Sequence, residues 1–384
     1  MPPLSAHRSD SPLRTAVVGT GGIARSAHLP ALRTLAAEGE VELVAAVDVD
    51  AEAVAHVAAD NGIPHASTDL AAALAETSPA LVVLCTPPAV HREQAVAALA
   101  AGAHVWCEKP PCPSLSDFDA IEAAEGGDEG PHASIVFQHR FGSGARHVRA
   151  LLAEGAFGRP LVAHCQTTWY RDTAYYSVPW RGRWATEGGG PAMGHGIHQT
   201  DLLLDLMGPW SEVRGMAARL VHDVETEDVS TAQVRFANGA VATVVNSVLS
   251  PDEVSRIRID CERATIEVTH LYGYRNADWR ITPAPGVPED TVGAWRDFGD
   301  DEPSSHIAQL RALVADIRAG RRHPTSGEGG RRTLEFITAL YKSAFTDAPV
   351  RAGEVGPGDP YYTVLHGGAP GWAPVTTREE EART

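Results

Sequence analysis

An apolar run from Leu13 to Gly19 leads directly into Gly19-Thr20-Gly21-Gly22-Ile23-Ala24, and an Ala- and Leu-patterned stretch then continues to about Glu38. Strand, glycine-rich turn and helix in that order leave few folds open to a chain. Gly19 permits the tight turn, Gly21 lets a backbone approach a pyrophosphate, and Ala24 lets helix and strand pack closely. Gly22 and Ile23 complete a turn whose helix N-terminal amides can hold the phosphates. The next apolar run, Val41 to Asp48, ends on a carboxylate placed to accept both ribose hydroxyls of a dinucleotide. Its charge would repel a 2′-phosphate and no arginine follows it, so NAD is expected over NADP. The spacing from the glycines is longer than the usual roughly twenty residues and requires an extended first helix.

Ala51 to Asn61 reads as helix, Leu81 to Thr86 as a strand closed by Pro87 and Pro88, Val90 to Ala101 as helix, and His104 to Cys107 as strand. Strand and helix alternating in this way demand parallel strands with right-handed crossovers, a doubly wound α/β sheet with ligands at the strands' carboxyl ends. The rhythm changes near Phe141 to Ala145. Leu161–Thr168, Thr231–Phe236, Ala240–Leu249, Ser255–Cys261 and Ala264–Thr269 read as successive strands of a mostly antiparallel open sheet. Asn238-Gly239 between two of them predicts a hairpin with positive φ at both positions. Helices are expected over Ile307–Arg318 and Arg332–Thr346. The chain therefore divides into a tail (1–12), a dinucleotide-binding Rossmann domain (13–142), an α+β domain for substrate binding and oligomerisation (143–350) and a loop-like end (351–384).

With 49 acidic and 32 basic residues among 384, the formal charge is −17, a field that repels nucleic-acid phosphates and anionic lipid. Cys85, Cys107, Cys112, Cys165 and Cys261 form an odd set without a CxxC pair, which fits neither a disulfide framework nor a zinc ribbon. The start carries no apolar core of a secretory signal. A reduced, cytoplasmic setting is expected.

Further motifs are Thr86-Pro87-Pro88-Ala89-Val90-His91, Trp106-Cys107-Glu108-Lys109-Pro110, and Gly188-Gly189-Gly190 followed by Gly196-Ile197-His198-Gln199-Thr200-Asp201. With the glycine turn, this ordered set resembles the glucose-fructose oxidoreductase, inositol dehydrogenase and MocA (Gfo/Idh/MocA) family from about Arg14 through the late helices. The resemblance implies hydride transfer between a nicotinamide cofactor and a hydroxyl carbon of a sugar, polyol or glycoside, by a homodimer or homotetramer. Two alternatives stay open: redox-neutral sugar chemistry on a retained NAD, and a noncatalytic dinucleotide-binding regulator. Lys109 is implied as the catalytic or substrate-orienting lysine, held by Glu108 and joined to Pro110 by a peptide often cis in relatives. Thr86, Pro87, His91, Glu108 and Lys109 join the glycine turn and Asp48 on the cofactor side. An ammonium beside a cationic nicotinamide would have its pKa drawn toward neutrality, as removal of a carbinol proton requires.

His198 falls where the family keeps a histidine on the reacting hydroxyl. Many relatives carry an Asp four residues earlier; this chain has Gly194 there and adds His195. His195, His198 and Asp201 at helical spacing are too thin a set for a metal site, so no metal is expected and Asp201 reads as a cap or structural salt bridge. Trp169-Tyr170-Arg171, Tyr175-Tyr176, Trp180-Arg181 and Trp184 concentrate aromatic rings and arginines ahead of the glycines, in a chain only 6% aromatic. Rings stack on sugar faces and arginines bind hydroxyls or carboxylates, although the same side chains suit a subunit contact. Arg140 is a further substrate or interdomain candidate. Glu225-Thr226-Glu227-Asp228 reads as a solvated turn.

Overall fold

The computed structural model describes residues 11–127 and 130–368. Two compact units emerge. The first takes the described residues to Cys112, Ser116–Phe141 and Ser305–Arg332, and the second Pro113–Leu115, Gly142–Ser304 and the chain from Thr333.

In the first unit six strands, β1 (Leu13–Val18), β2 (Val41–Val47), β3 (His65–Ser67), β4 (Leu81–Leu84), β5 (His104–Cys107) and β6 (Ala133–Ile135), lie in the order β3-β2-β1-β4-β5-β6. Every neighbouring pair is parallel. This is the doubly wound sheet that the alternation demands. Local chemistry fixes the helix between β2 and β3. The Asp50 carboxylate accepts the N–H groups of Glu52 and Ala53 at 3.0 Å each, and Gly62 closes the helix at φ +64°. β3 and the helix Leu70–Thr77 are absent from the sequence reading because runs this short carry little periodicity, and the last strand, expected to end at Phe137-Gln138-His139, stops at Ile135.

The sequence reading ends this domain at residue 142. The structure returns Ser305–Arg332 to it, for a reason seen in the helix His306–Arg318. Its Leu310, Leu313, Val314 and Ile317 enter the same buried cluster as Val17, Leu32 and Leu35, and each fully buried leucine is worth roughly 1.5–3 kcal/mol. Gln309 meanwhile satisfies the backbone beyond β6, accepting from Phe137 N–H at 2.9 Å and donating to the Ile135 carbonyl at 2.7 Å.

The second unit holds an eight-stranded sheet of β7 (Pro160–Tyr170), β8 (Trp210–Ala218), β9 (Val229–Phe236), β10 (Val241–Ser247), β11 (Leu249–Cys261), β12 (Ala264–His270), β13 (Trp279–Pro283) and β14 (Val350–Arg351), in the order β13-β12-β11-β7-β10-β9-β8-β14. All pairs are antiparallel except β7 with β10. The β9–β10 hairpin differs from expectation. Only Gly239, at φ +89°, takes positive φ; its N–H bonds the Phe236 carbonyl at 3.0 Å and Asn238 Oδ1 accepts from Ala240. The result is a three-residue loop with a left-handed glycine.

The acidic run 225–228 is likewise no solvated turn. Asp228 is fully buried and accepts from the N–H groups of Leu220, Val221 and His222 at 2.7–3.1 Å. Glu227, equally buried, accepts from Gly190 N–H (2.9 Å), Ala192 N–H (3.1 Å) and the Tyr341 hydroxyl (2.8 Å), and so fixes the glycine turn ahead of His195. Unmet backbone N–H groups in a folded interior attract carboxylates that sequence alone assigns to solvent.

Burial lifts the Glu227 carboxyl to about 7, against the hydrogen bonds from Ala192, Tyr341 and Gly190 that lower it. Between its ordinary 4.5 and about 7 the folded chain holds a proton that the unfolded chain has released. Stability therefore falls as pH rises across that window, by roughly 3 kcal/mol for a shift of this size, and is flat above it. Glu227→Gln should gain melting temperature relative to the parent chain between about pH 5 and about pH 8. A constant difference over that range would show that Glu227 titrates as an ordinary carboxylate.

Candidate active site

Gly19 turns the chain at φ +87°, and a Cβ there would stand 2.8 Å from the Cys85 carbonyl carbon. Only glycine lets the segments after β1 and β4 come this close. Gly21 and Gly22 have a different basis. Both are exposed, neither has positive φ, and a Cβ at either would meet no atom within 4 Å. The fold itself does not ask for glycine at these two positions, which leave open the surface that a pyrophosphate would occupy. Ile23 is half-buried and Ala24 fully buried beside them.

Asp48 Oδ2 accepts from Thr20 N–H at 2.6 Å and Thr20 Oγ at 2.8 Å, and Oδ1 accepts from Asp50 N–H at 3.1 Å. Burial pushes this carboxyl up, but the hydrogen bonds from Thr20 and Asp50 more than reverse it and keep it anionic. Three of its roughly four lone-pair positions are thus engaged, which narrows what remains for ribose hydroxyls. The sequence reading passes over Thr20 and over Arg25, whose Nε donates to the Thr20 carbonyl at 2.9 Å. A guanidinium one residue past the glycine motif was the available signal.

Beyond β4, the Thr86 hydroxyl donates to Gln94 Oε1 at 2.5 Å, and Pro87 leads into a short turn over Pro88–Val90. His91 is corrected from its cofactor-side expectation. It is fully buried, with Nε2 2.7 Å from the Thr86 carbonyl and Nδ1 3.1 and 3.2 Å from those of Pro110 and Pro111. Burial lowers its pKa. The ring ties the segment after β4 to the turn after β5, shielded by the backbone it binds.

Lys109 follows β5, half-buried and joined to Pro110 by a cis peptide. Glu108 faces inward: Oε1 lies 2.7 Å from His28 Nε2 and 3.1 Å from His306 Nε2, and Oε2 accepts the Lys109 N–H at 3.1 Å. This orientation corrects the direct cofactor contact expected of Glu108. Burial alone would raise its carboxyl, but the hydrogen bonds and charges of the two imidazoles hold it well below the usual range. The three side chains offer ligand atoms within 4.8 Å of one another. At 2.7 Å the imidazole–carboxylate contact has the length of a charge-assisted hydrogen bond. Of 32 basic residues only Lys109 and Lys342 are lysines. Lys342 is held by Glu354 and Asp359 at 2.9 and 2.6 Å.

Arg140 also requires correction. It is buried within the first unit, donates to the Pro324 and Gly329 carbonyls at 3.2 and 2.8 Å, and lies over the Phe137 ring. It clamps a loop that closes the unit.

The second unit gathers much of the aromatic and arginine segment around His195. The rings of Trp169 and His195 meet edge-on at 5.2 Å, and the Tyr175 hydroxyl stands 3.2 Å from His195 Nε2. Arg181 donates to that hydroxyl and lies over both Tyr175 and Trp180, while Arg171 lies over Trp169 and Tyr175 and pairs with Glu253 at 3.0 Å. Tyr170 is half-exposed beside them. His198, buried on the helix Ile197–Met207, packs edge-on against Tyr272 at 5.4 Å. Trp184 departs from the substrate expectation, packing on Tyr341, Phe345 and His366. Asp201 is fully buried, and its Oδ1 accepts from the buried Thr333 hydroxyl at 2.8 Å.

Gly19→Ala should lose about 1–3 kcal/mol in thermal melting, because alanine is forced to positive φ against Cys85. Gly21→Ala should melt with the parent chain yet bind NAD at least about tenfold more weakly in calorimetry, a loss of about 1.4 kcal/mol. Equal NAD affinity would remove the assignment of this turn.

The model of an oxidoreductase family with an NAD-binding Rossmann fold matches residues 13–128, and that of the GFO/IDH/MocA C-terminal domain matches residues 145–267. The chain is 26% identical over 373 residues to the D-glucoside 3-dehydrogenase of Escherichia coli (strain K12), covering 90% of this chain and 99% of that protein. It is 32% identical over 156 residues to inositol 2-dehydrogenase 3 of Saccharopolyspora erythraea, 40% of this chain and 44% of that one. Among solved structures, the WlbA dehydrogenase from Bordetella pertussis, in complex with NADH and UDP-GlcNAcA, superposes with a TM-score of 0.79 at 26% identity, over 89% of this chain and 98% of that one. With a parallel sheet of order 3-2-1-4-5-6, a glycine turn opened toward solvent and a mostly antiparallel second sheet, the chain belongs to the GFO/IDH/MocA oxidoreductase family.

Proposed function

We propose that this oxidoreductase oxidises a hydroxyl carbon of a sugar, polyol or glycoside, or reduces the matching ketone, with NAD. The observation that carries the reading is Lys109. In a chain with 32 basic residues, one of its two lysines stands directly after β5, where ligands of a doubly wound sheet bind. Guanidinium does not give up its proton, whereas a lysine can alternate between ammonium and amine. When bound, the nicotinamide supplies the hydride acceptor or donor. Lys109 takes the hydroxyl proton as the carbinol is oxidised and returns it in the reverse direction.

His198 is assigned as the second polar group on the reacting hydroxyl, and His195, Trp169, Tyr170, Arg171, Trp180 and Arg181 as substrate contacts. Support for the latter comes from the cluster they form with Tyr175, and for sugar as substrate from the names of the relatives. The Tyr175 hydroxyl supplies His195 with a polar partner at 3.2 Å. The anionic Asp48 supports NAD over NADP, since a 2′-phosphate would meet like charge. The reading extends to a cytoplasmic homodimer or homotetramer. The five free cysteines favour a reducing compartment, and no helix among the described residues is long and apolar enough to cross a membrane.

The test is nicotinamide absorbance with NAD and a panel of sugars, polyols and glycosides, comparing the parent chain with Lys109→Ala and Lys109→Arg. Both variants should lose at least about 100-fold in turnover, because arginine keeps the charge and cannot cycle the proton. Undiminished turnover in either would remove Lys109 from the chemistry. Flat traces with the parent chain, run in both directions across the panel, would overturn the carbohydrate assignment.

A further inference from the structure

The glycine turn does not lead straight into an α-helix. Ala24–His28 form a π-helical turn in which the Leu29 N–H bonds the Ala24 carbonyl, and only then does the helix Leu29–Ala37 begin. Such turns add a residue to the helical circuit and redirect the side chains that follow. Here the redirected residue is His28, with no exposed surface, its Nε2 on Glu108. The second imidazole comes from the far end of the sequence. His306 is the first residue of the helix His306–Arg318, whose start is capped by Ser305 Oγ accepting from Ala308 N–H at 3.2 Å.

Trp106, two residues before Glu108 on β5, sets the orientation of both rings. His28 meets it edge-on at 4.6 Å and His306 at 6.2 Å, while the two imidazoles stand edge-on to each other at 4.9 Å. Both therefore reach Oε1 of an anionic carboxylate, which only accepts, so each must present an N–H from Nε2. The other oxygen accepts the backbone N–H of Lys109. A carboxylate this buried is stable as an anion only while its donors stay in place. Without them it must turn or take up a proton, and the Lys109 peptide loses the acceptor that orients it.

We infer that His28 and His306 are positioning residues for Lys109, acting through Glu108 so that the cofactor-side turn and the returning helix together aim the lysine. The importance of that aim rests on the role proposed above for Lys109; the aim itself does not. A displacement of about 1 Å at a reacting group can lower a rate about 100-fold, so the device matters out of proportion to its energy.

The scarcity of lysine supplies a direct readout. Reductive ¹³C-dimethylation labels Lys109, Lys342 and the amino terminus, and NMR of the NAD-loaded protein then follows Lys109 without any substrate. In His306→Leu, and separately in His28→Leu, the Lys109 methyl signal should shift or split by more than its linewidth while that of Lys342 stays in place. His306→Gln, which keeps a donor at the Nε2 position, should restore it. NAD affinity by calorimetry should change by less than about twofold, under 0.5 kcal/mol. With unlabelled protein and the best substrate of the panel, kcat should fall about 10- to 100-fold in the leucine variants and recover in glutamine, with KM for NAD unchanged.

A Lys109 signal unmoved in both leucine variants would overturn the inference, as would an equal shift in His306→Leu and His306→Gln at unchanged melting temperature. If leucine at either position prevents folding, Glu108→Gln carries the same test, since it replaces one of the oriented acceptors by a donor. Lys109→Ala keeps the two ideas apart. Full turnover in that variant would sink the catalytic role of Lys109, whereas silent histidine variants beside an inactive Lys109→Ala would sink only the positioning.

Discussion

A parallel sheet covered on both faces must conduct its chemistry where the strands end, and there the backbone runs out of partners from neighbouring strands. In the first unit four such ends are closed by side chains brought from elsewhere. Asp48 closes the turn after β1 through Thr20, His91 joins the segment after β4 to the prolines after β5, Glu108 receives His28 and His306, and Gln309 satisfies the backbone beyond β6. These closures bear on where the surface for a ligand lies, because they leave Gly21, Gly22 and part of Lys109 open while Thr20, Ala24, His91 and Glu108 are buried.

Two glutamates show how environment, and not residue type, sets charge. Glu108 and Glu227 are both enclosed. Glu108 is surrounded by imidazole donors and remains an anion, whereas Glu227 meets two backbone N–H groups and a phenol, too little to offset burial near neutrality. The difference follows from what each must hold: a fixed peptide at the cofactor side in one case, a glycine turn in the other. A buried carboxylate with saturated lone pairs acts as a rigid strut, and one near its titration point is a softer joint.

Much of the architecture was legible. The helix Ala51–Asn61 and strand His104–Cys107 stand where periodicity puts them, because a capping Asp50, a closing Gly62 and a run of strand formers are local signals. The glycine turn and the position of Lys109 after a strand were legible for the same reason. Partners far apart in sequence were not. His28 reads as an ordinary residue of an apolar helix and His306 as a helix start, and nothing local announces that they meet. Arg140, Trp184 and the 225–228 run were misplaced because charge and aromaticity say what a side chain can bind and not which backbone it will find. The chemistry types were visible; their enclosure was not.

The return of His306–Arg318 to the first unit bears on how the protein is made. The strands and helices before residue 142 emerge from the ribosome first, yet their core lacks Leu310, Leu313, Val314 and Ile317, and the backbone after β6 lacks Gln309. Until Arg318 has been synthesised the cofactor-side unit exposes apolar surface that it will later cover, and in the interval the ribosome delivers β7 to β13 of the second sheet, with β14 still to follow. The beginning of such a chain waits for its later part, which makes the early unit a client for chaperones during translation and gives truncations near residue 142 little chance of solubility.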